Sequence, residues 1–225
     1  MLNQIKKALN VTARIYDFIR ETAVAGMTEQ ELFSLIEQEL NKLGYQKEHY
    51  AFDFLSGFRT SDIDGGPTSK TIEKSDLLLV DFSLQHEGTW CDTCRTFFLG
   101  TPSKEQADAY NLLLTAMEAG FKMLSSHTSG ECVYQAVIHP IEQRHMKKNM
   151  PHHAGHAIGA HPFQNPVLDR GSKDLLKAGD AVTLEPGIYI PDKWGIRMEN
   201  DFLVTEEGAE LLFHYPMDLE YFILR

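Results

Sequence analysis

The chain has 225 residues, 43% of them hydrophobic and 24% charged, a balance that excludes a disordered chain and leaves room for a sizeable core. A formal net charge of −11 speaks against nucleic acid or an anionic membrane as partner. No apolar run is long enough for a membrane span, and the first residues, MLNQIKKALNV, lack a signal-peptide core.

Residues 2–24 predict a helix, with Leu2, Ile5, Leu9, Ile15 and Ile19 on one apolar face. Thr28 with Glu31 forms a capping box that opens a second helix, ending near Gly44. Strands are predicted over 50–55 and 77–83, separated by a loop rich in Gly, Pro, Asp and Ser. A strand over 89–98 stops at Gly100-Thr101-Pro102, and Ser103 with Gln106 caps a long helix to about Leu124. A further helix is expected over 130–147, kinked or broken at Pro140. Short strands follow near 154–160, 181–189, 196–205 and 209–213. This order predicts one α+β domain over 1–225, a curved antiparallel sheet backed by helices.

Five residues sit in or beside apolar runs where charge is costly unless compensated: Asp81 after LLLV, Asp92 in WCDTC, His156 in HHAGHAIG, Glu185 after AVTL and Glu199 after GIRM. Oxygen donors with one imidazole suit Mn²⁺, Co²⁺, Fe²⁺ or Zn²⁺, and four carboxylates suit two ions sharing ligands. Asp81 and Asp92 flank one expected hairpin turn, Glu185 and Glu199 another. Cys91 and Cys94 lie three apart on a strand, so their sulfurs should face opposite sides; reduced thiols in a cytoplasmic protein are the expectation.

AGMTEQEL, LLLVDFSLQHEGTWCDTCRTFFLG, GHAIG, LEPGIYI and GIRMENDFLVTEEG together resemble the motifs of the pita-bread metallopeptidases, family M24, which includes methionine aminopeptidase, aminopeptidase P and Xaa-Pro dipeptidase. EPGIYI is most similar to the proline-peptidase branch, whose members often carry an extra N-terminal domain; here the catalytic domain alone is expected. The resemblance implies a dinuclear hydrolase that removes the N-terminal residue or a short peptide, Xaa-Pro among them. In it Asp81 would chelate one ion, Asp92 and Glu199 would bridge both, and His156 and Glu185 would complete the other. Glu185 would also pass a proton from a bridging hydroxide to the leaving amine, with His152 as a second catalytic group. Homodimerisation is common among such proteins, and the resemblance implies it here.

Two positions depart from the family pattern. Asp64 and Phe163 stand where its peptidases usually have substrate-side histidines; Asp64 would hold an ammonium and Phe163 would give apolar contact. By strand parity His152 should share a face with His156, whereas His153 and His161 should not. Arg197 should support the ligand shell beside Glu199, or else be a solvated strand residue. Tyr189 should contact substrate or be structural. Trp90, Phe163 and Tyr189 are expected on an apolar rim. These departures keep two alternatives open: a same-fold metalloenzyme acting on a small non-peptide substrate, and a non-catalytic binding protein.

Overall fold

In chain order, the computed structural model describes residues 1–224 as follows. Helix α1 (Leu2–Thr22) and helix α2 (Glu29–Lys42) lead into strands β1 (Tyr50–Ser56), β2 (Leu77–His86) and β3 (Thr89–Phe98). Helices α3 (Lys104–Met123) and α4 (Gly130–Gln143) come next. The remaining strands are β4 (Gly155–Ile158), β5 (Gln164–Leu168), β6 (Ala181–Leu184), β7 (Gly187–Ile190), β8 (Trp194–Arg197), β9 (Asn200–Val204) and β10 (Ala209–Leu211). Both expected capping boxes are formed, Thr28 with Glu31 and Ser103 with Gln106. None of the described helices is long and apolar enough to cross a membrane.

The strands make antiparallel ladders ordered β1-β2-β3, β10-β9-β6-β4-β5 and β7-β8, and a bridge between Cys94 and Glu199 joins the first to the others. Alternation along β2 and β3 sorts two faces. Leu78, Val80, Phe82 and Leu84 join Cys91 and Phe97 in the main core, together with Ile5, Leu9 and Ile15 of α1. Each fully buried side chain of this kind is worth roughly 1.5–3 kcal/mol. The other face carries Asp81 and Asp92, with Leu79 and Cys94 in a small separate cluster beside Leu55 and Tyr189. Cys91 and Cys94 therefore lie on opposite faces, both as free thiols.

Three local expectations change. Helix α4 runs through Pro140 without a break and ends at Gln143, short of 147. Pro140 lies in the final turn, where its missing N–H costs a single ladder bond. The runs 181–189 and 196–205 are each two strands. Pro186 cannot donate to a ladder, so the β6–β9 pairing stops at Leu184 opposite Asn200 and the β7–β8 pairing begins at Gly187 opposite Arg197. Strand β5 was not expected from the sequence; its Pro166 sits at the edge of its ladder, where a missing donor is tolerated.

Candidate metal centre

The interruption at Pro186 leaves Glu185 and Glu199 facing each other between two ladders. Their backbone amides turn outward: Glu185 N–H donates to Ala154 O (2.9 Å) and Glu199 N–H to Cys94 O (3.0 Å). The first bond ties Glu185 to the segment before β4, and the second ties Glu199 to β3. On the hairpin, Asp81 pairs with Cys94 and Asp92 with Ser83, so the two carboxylates stand diagonally on one face. Gly155 brings His156 in: a Cβ there would fall 2.1 Å from Thr183 O, at φ +155°. Only glycine lets β4 lie this close to β6.

Asp92, His156 and Glu199 are buried and offer ligand atoms within 4.8 Å of one another. His156 Nδ1 lies 3.1 Å from Ala157 O and donates to it. That leaves the Nε2 lone pair facing Glu185 Oε1 (3.5 Å) and Asp92 Oδ2 (3.9 Å), the tautomer a metal-binding imidazole needs. Ser83 Oγ donates to Asp92 Oδ1 (2.8 Å). Beneath, the buried Arg95 donates to Glu199 O (2.6 Å), Cys94 O (2.8 Å) and Asn200 Oδ1 (2.7 Å), clamping the junction from the core side.

Asp81 is held differently. Arg197 contacts its Oδ2 through Nε (2.9 Å) and Nη2 (2.8 Å), and also reaches Asp53 Oδ2 (3.1 Å), Ile63 O (2.8 Å) and the Tyr189 hydroxyl (2.9 Å). Arg197 is thus buried in an ion-pair network and is not a solvated strand residue. Replacing it with alanine leaves two carboxylates facing each other unpaired. The metal-free Arg197→Ala variant should lose about 3–5 kcal/mol, a fall in Tm of roughly 6–20 °C for a chain of this size. Thermal unfolding followed by circular dichroism checks it; an unchanged Tm would remove Arg197 from the framework.

Tyr189 bridges Arg197 to His152, whose Nε2 lies 3.0 Å from its hydroxyl; His152 Nδ1 donates to His153 O (2.7 Å). Residues 152–154 precede β4, so strand parity does not govern them, and His153 corrects the expectation drawn from it. Its Nδ1 approaches Glu185 Oε1 to 3.1 Å, and its ring packs against those of His156 and Phe163. Phe163 is 51% exposed, with its ring centroid 4.5 Å from that of His156. Trp90 is half-buried on the face of Asp92, and Tyr189 is buried in the small cluster below. Asp64 is exposed on the loop whose Ile63 O meets Arg197 and whose Gly65 N–H meets Asp53 Oδ1.

The charges sharpen the picture. Burial, with Asp53 and Glu185 nearby, lifts Asp81 to about 6 against the pull of Arg197. Burial and mutual repulsion hold Asp92 and Glu199 well above the usual carboxylate range. Burial would raise Glu185 too, but His153, His156 and His152 hold it down at about 2. Burial lowers His152 to about 4, and it lowers His156 as well. Buried carboxylates that repel one another around a correctly oriented imidazole are the donor set of a hard or borderline divalent cation. The residues present therefore fit such an ion.

A model of Metallopeptidase family M24 matches residues 3–206. The chain belongs to family M24. An uncharacterized peptidase of Staphylococcus aureus strain MW2 is 28% identical over 214 residues, covering 95% of this chain and 61% of that protein. An X-Pro aminopeptidase from Thermotoga maritima MSB8 superposes with a TM-score of 0.92 at 29% identity, over 98% of this chain and 62% of that one. An Xaa-Pro dipeptidase from Bacillus anthracis does so with a TM-score of 0.92 at 30% identity, over 99% and 62%. The M24 chain thus has the pita-bread α+β fold and is similar to the proline-peptidase branch. It spans about three fifths of the length of these relatives.

Proposed function

We propose that residues 1–225 form one M24 domain that hydrolyses short peptides at their amino end with two divalent ions. The observation that carries this is the convergence of Asp92, His156, Glu185 and Glu199 on one buried centre, with Asp81 beside it on the same strand face. Asp81, Asp92 and Glu199 would hold one ion, and Asp92, His156, Glu185 and Glu199 the other. When bound, such ions acidify water and polarise a scissile carbonyl.

The chain's own groups do the rest. Glu185, held ionised, takes a proton on its carboxylate and returns it to the departing amine. In the Arg197–Tyr189–His152 chain the Tyr189 hydroxyl accepts from Arg197 and donates its one proton to His152 Nε2, so the chain holds the His152 imidazole in place at the edge of the centre. Phe163 gives the entrance an apolar wall against His156, fitting a small apolar side chain or a proline ring. Asp64, on the exposed loop, would meet the free ammonium. Manganese, iron, cobalt and zinc all suit the donors, and availability decides among them.

Metal-stripped protein reloaded with Mn²⁺ and incubated with a mixed library of Xaa-Pro and Met-initiated peptides should release one N-terminal residue or one dipeptide class, read by mass spectrometry. Phe163 and Asp64 favour a second reading, a small non-peptide substrate. No cleavage by protein shown to hold metal would select that reading and overturn the first.

A further inference from the structure

His153 is the group near the centre that the ligand set leaves unexplained. Its Nδ1 is buried and has no aligned hydrogen-bond partner, yet it lies 3.1 Å from Glu185 Oε1. Its ring stands nearly perpendicular to that of His156, with centroids 5.5 Å apart, and packs on Phe163. A buried imidazole nitrogen without a partner costs free energy unless something else binds it.

We propose that His153 is a further metal ligand, so that the ion on the Glu185 side takes two imidazoles, from His153 and His156. This rests on the metallopeptidase reading above. Two nitrogens flank one carboxylate oxygen: His153 Nδ1 at 3.1 Å and His156 Nε2 at 3.5 Å. Ligand atoms bound at about 2.0–2.2 Å to one ion in tetrahedral or octahedral geometry stand roughly 3–3.5 Å apart, so both contacts match neighbouring ligands of a single ion. His152 is no competitor, because both of its ring nitrogens are engaged, with His153 O and the Tyr189 hydroxyl. His153 also lies in the segment before β4 and not in a ladder, so its side chain can be changed without altering strand pairing.

A second imidazole moves the donor set toward nitrogen and therefore toward Zn²⁺ and Ni²⁺ over Mn²⁺. The test uses the full chain stripped of metal, titrated separately with Zn²⁺ and Mn²⁺, as wild type, His153→Ala and His153→Gln. The expected result is a loss of Zn²⁺ affinity of at least tenfold in both variants, with a smaller change for Mn²⁺. Pulsed EPR of Cu²⁺-loaded protein should show the combination lines of two imidazoles in wild type and a single imidazole in the variants. Glutamine keeps a polar partner for Glu185, so recovery of Zn²⁺ affinity in His153→Gln would mean a merely structural contact and overturn the inference. Unchanged metal selectivity, or one imidazole in wild type, would overturn it as well while leaving the metallopeptidase reading standing. Wild type that binds none of these ions would remove both.

Discussion

Glu185→Gln should lower peptide turnover by about 10²–10⁴-fold, the contribution of a positioned general acid–base. The amide keeps the size and one acceptor oxygen of the carboxylate but cannot take up a proton. Asp81, Asp92, His156 and Glu199 remain, so bound metal, measured by mass spectrometry of the elements, should stay near the wild-type level. The loss should fall on kcat more than on KM, because the proton transfer develops in the transition state and not on binding. Burial alone would keep Glu185 protonated, and the surrounding imidazoles hold it ionised, with its oxygens open to a proton. Turnover near wild type in the metal-loaded variant would assign the proton transfer elsewhere.

The parts of this centre legible in the sequence share a feature: each is a polar residue inside an apolar run whose local element is simple to infer. Asp81 and Asp92 could be placed on one hairpin because alternation and the turn between them set their face. Glu185 and Glu199 can be paired across a turn, although the apolar runs on either side of Pro186 hide the break that exposes both. What stayed hidden depends on contacts between distant segments. Asp53 lies in FDFLS as an ordinary alternating strand residue, and its partner Arg197 is 144 positions away. Arg95 follows Cys94 in a run that reads as plain strand, yet its guanidinium clamps Glu199 from the core side. His153 falls outside the parity argument, because β4 begins only at Gly155 and residues 152–154 precede it. Its proximity to Glu185 follows from the bend before Gly155, which no periodicity marks.

Without metal, the same carboxylates should make the chain less stable as pH rises, and metal should reverse this. Asp81 is raised from 3.8 to about 6, so the folded state holds its proton more tightly than the unfolded chain. Stability is then fully present below the unfolded value and is lost as pH rises through the folded one. A shift of about two units corresponds to roughly 3 kcal/mol. Asp92 and Glu199 are shifted the same way and extend the loss to higher pH. The lowered His152 and His156 act in the opposite sense, but only below their unfolded value of 6.5. His153 is raised, so its contribution is also lost as pH climbs. From about pH 6.5 to 8 these shifts therefore agree in sign, and the metal-free Tm should fall. Ions bind the deprotonated donors, so their effect should be slight at pH 5 and large at pH 8. An ion present at a thousand times its Kd adds about 4 kcal/mol per site, roughly 8–16 °C in Tm here. Asp92→Asn separates the two effects: it relieves the repulsion, so at pH 8 it should raise the metal-free Tm while abolishing most of the gain from metal. Scanning calorimetry of both proteins, with and without Mn²⁺, gives the answer. A variant less stable than wild type in the metal-free state would show that Asp92 serves packing and hydrogen bonding first, and that its charge is not what strains the empty centre.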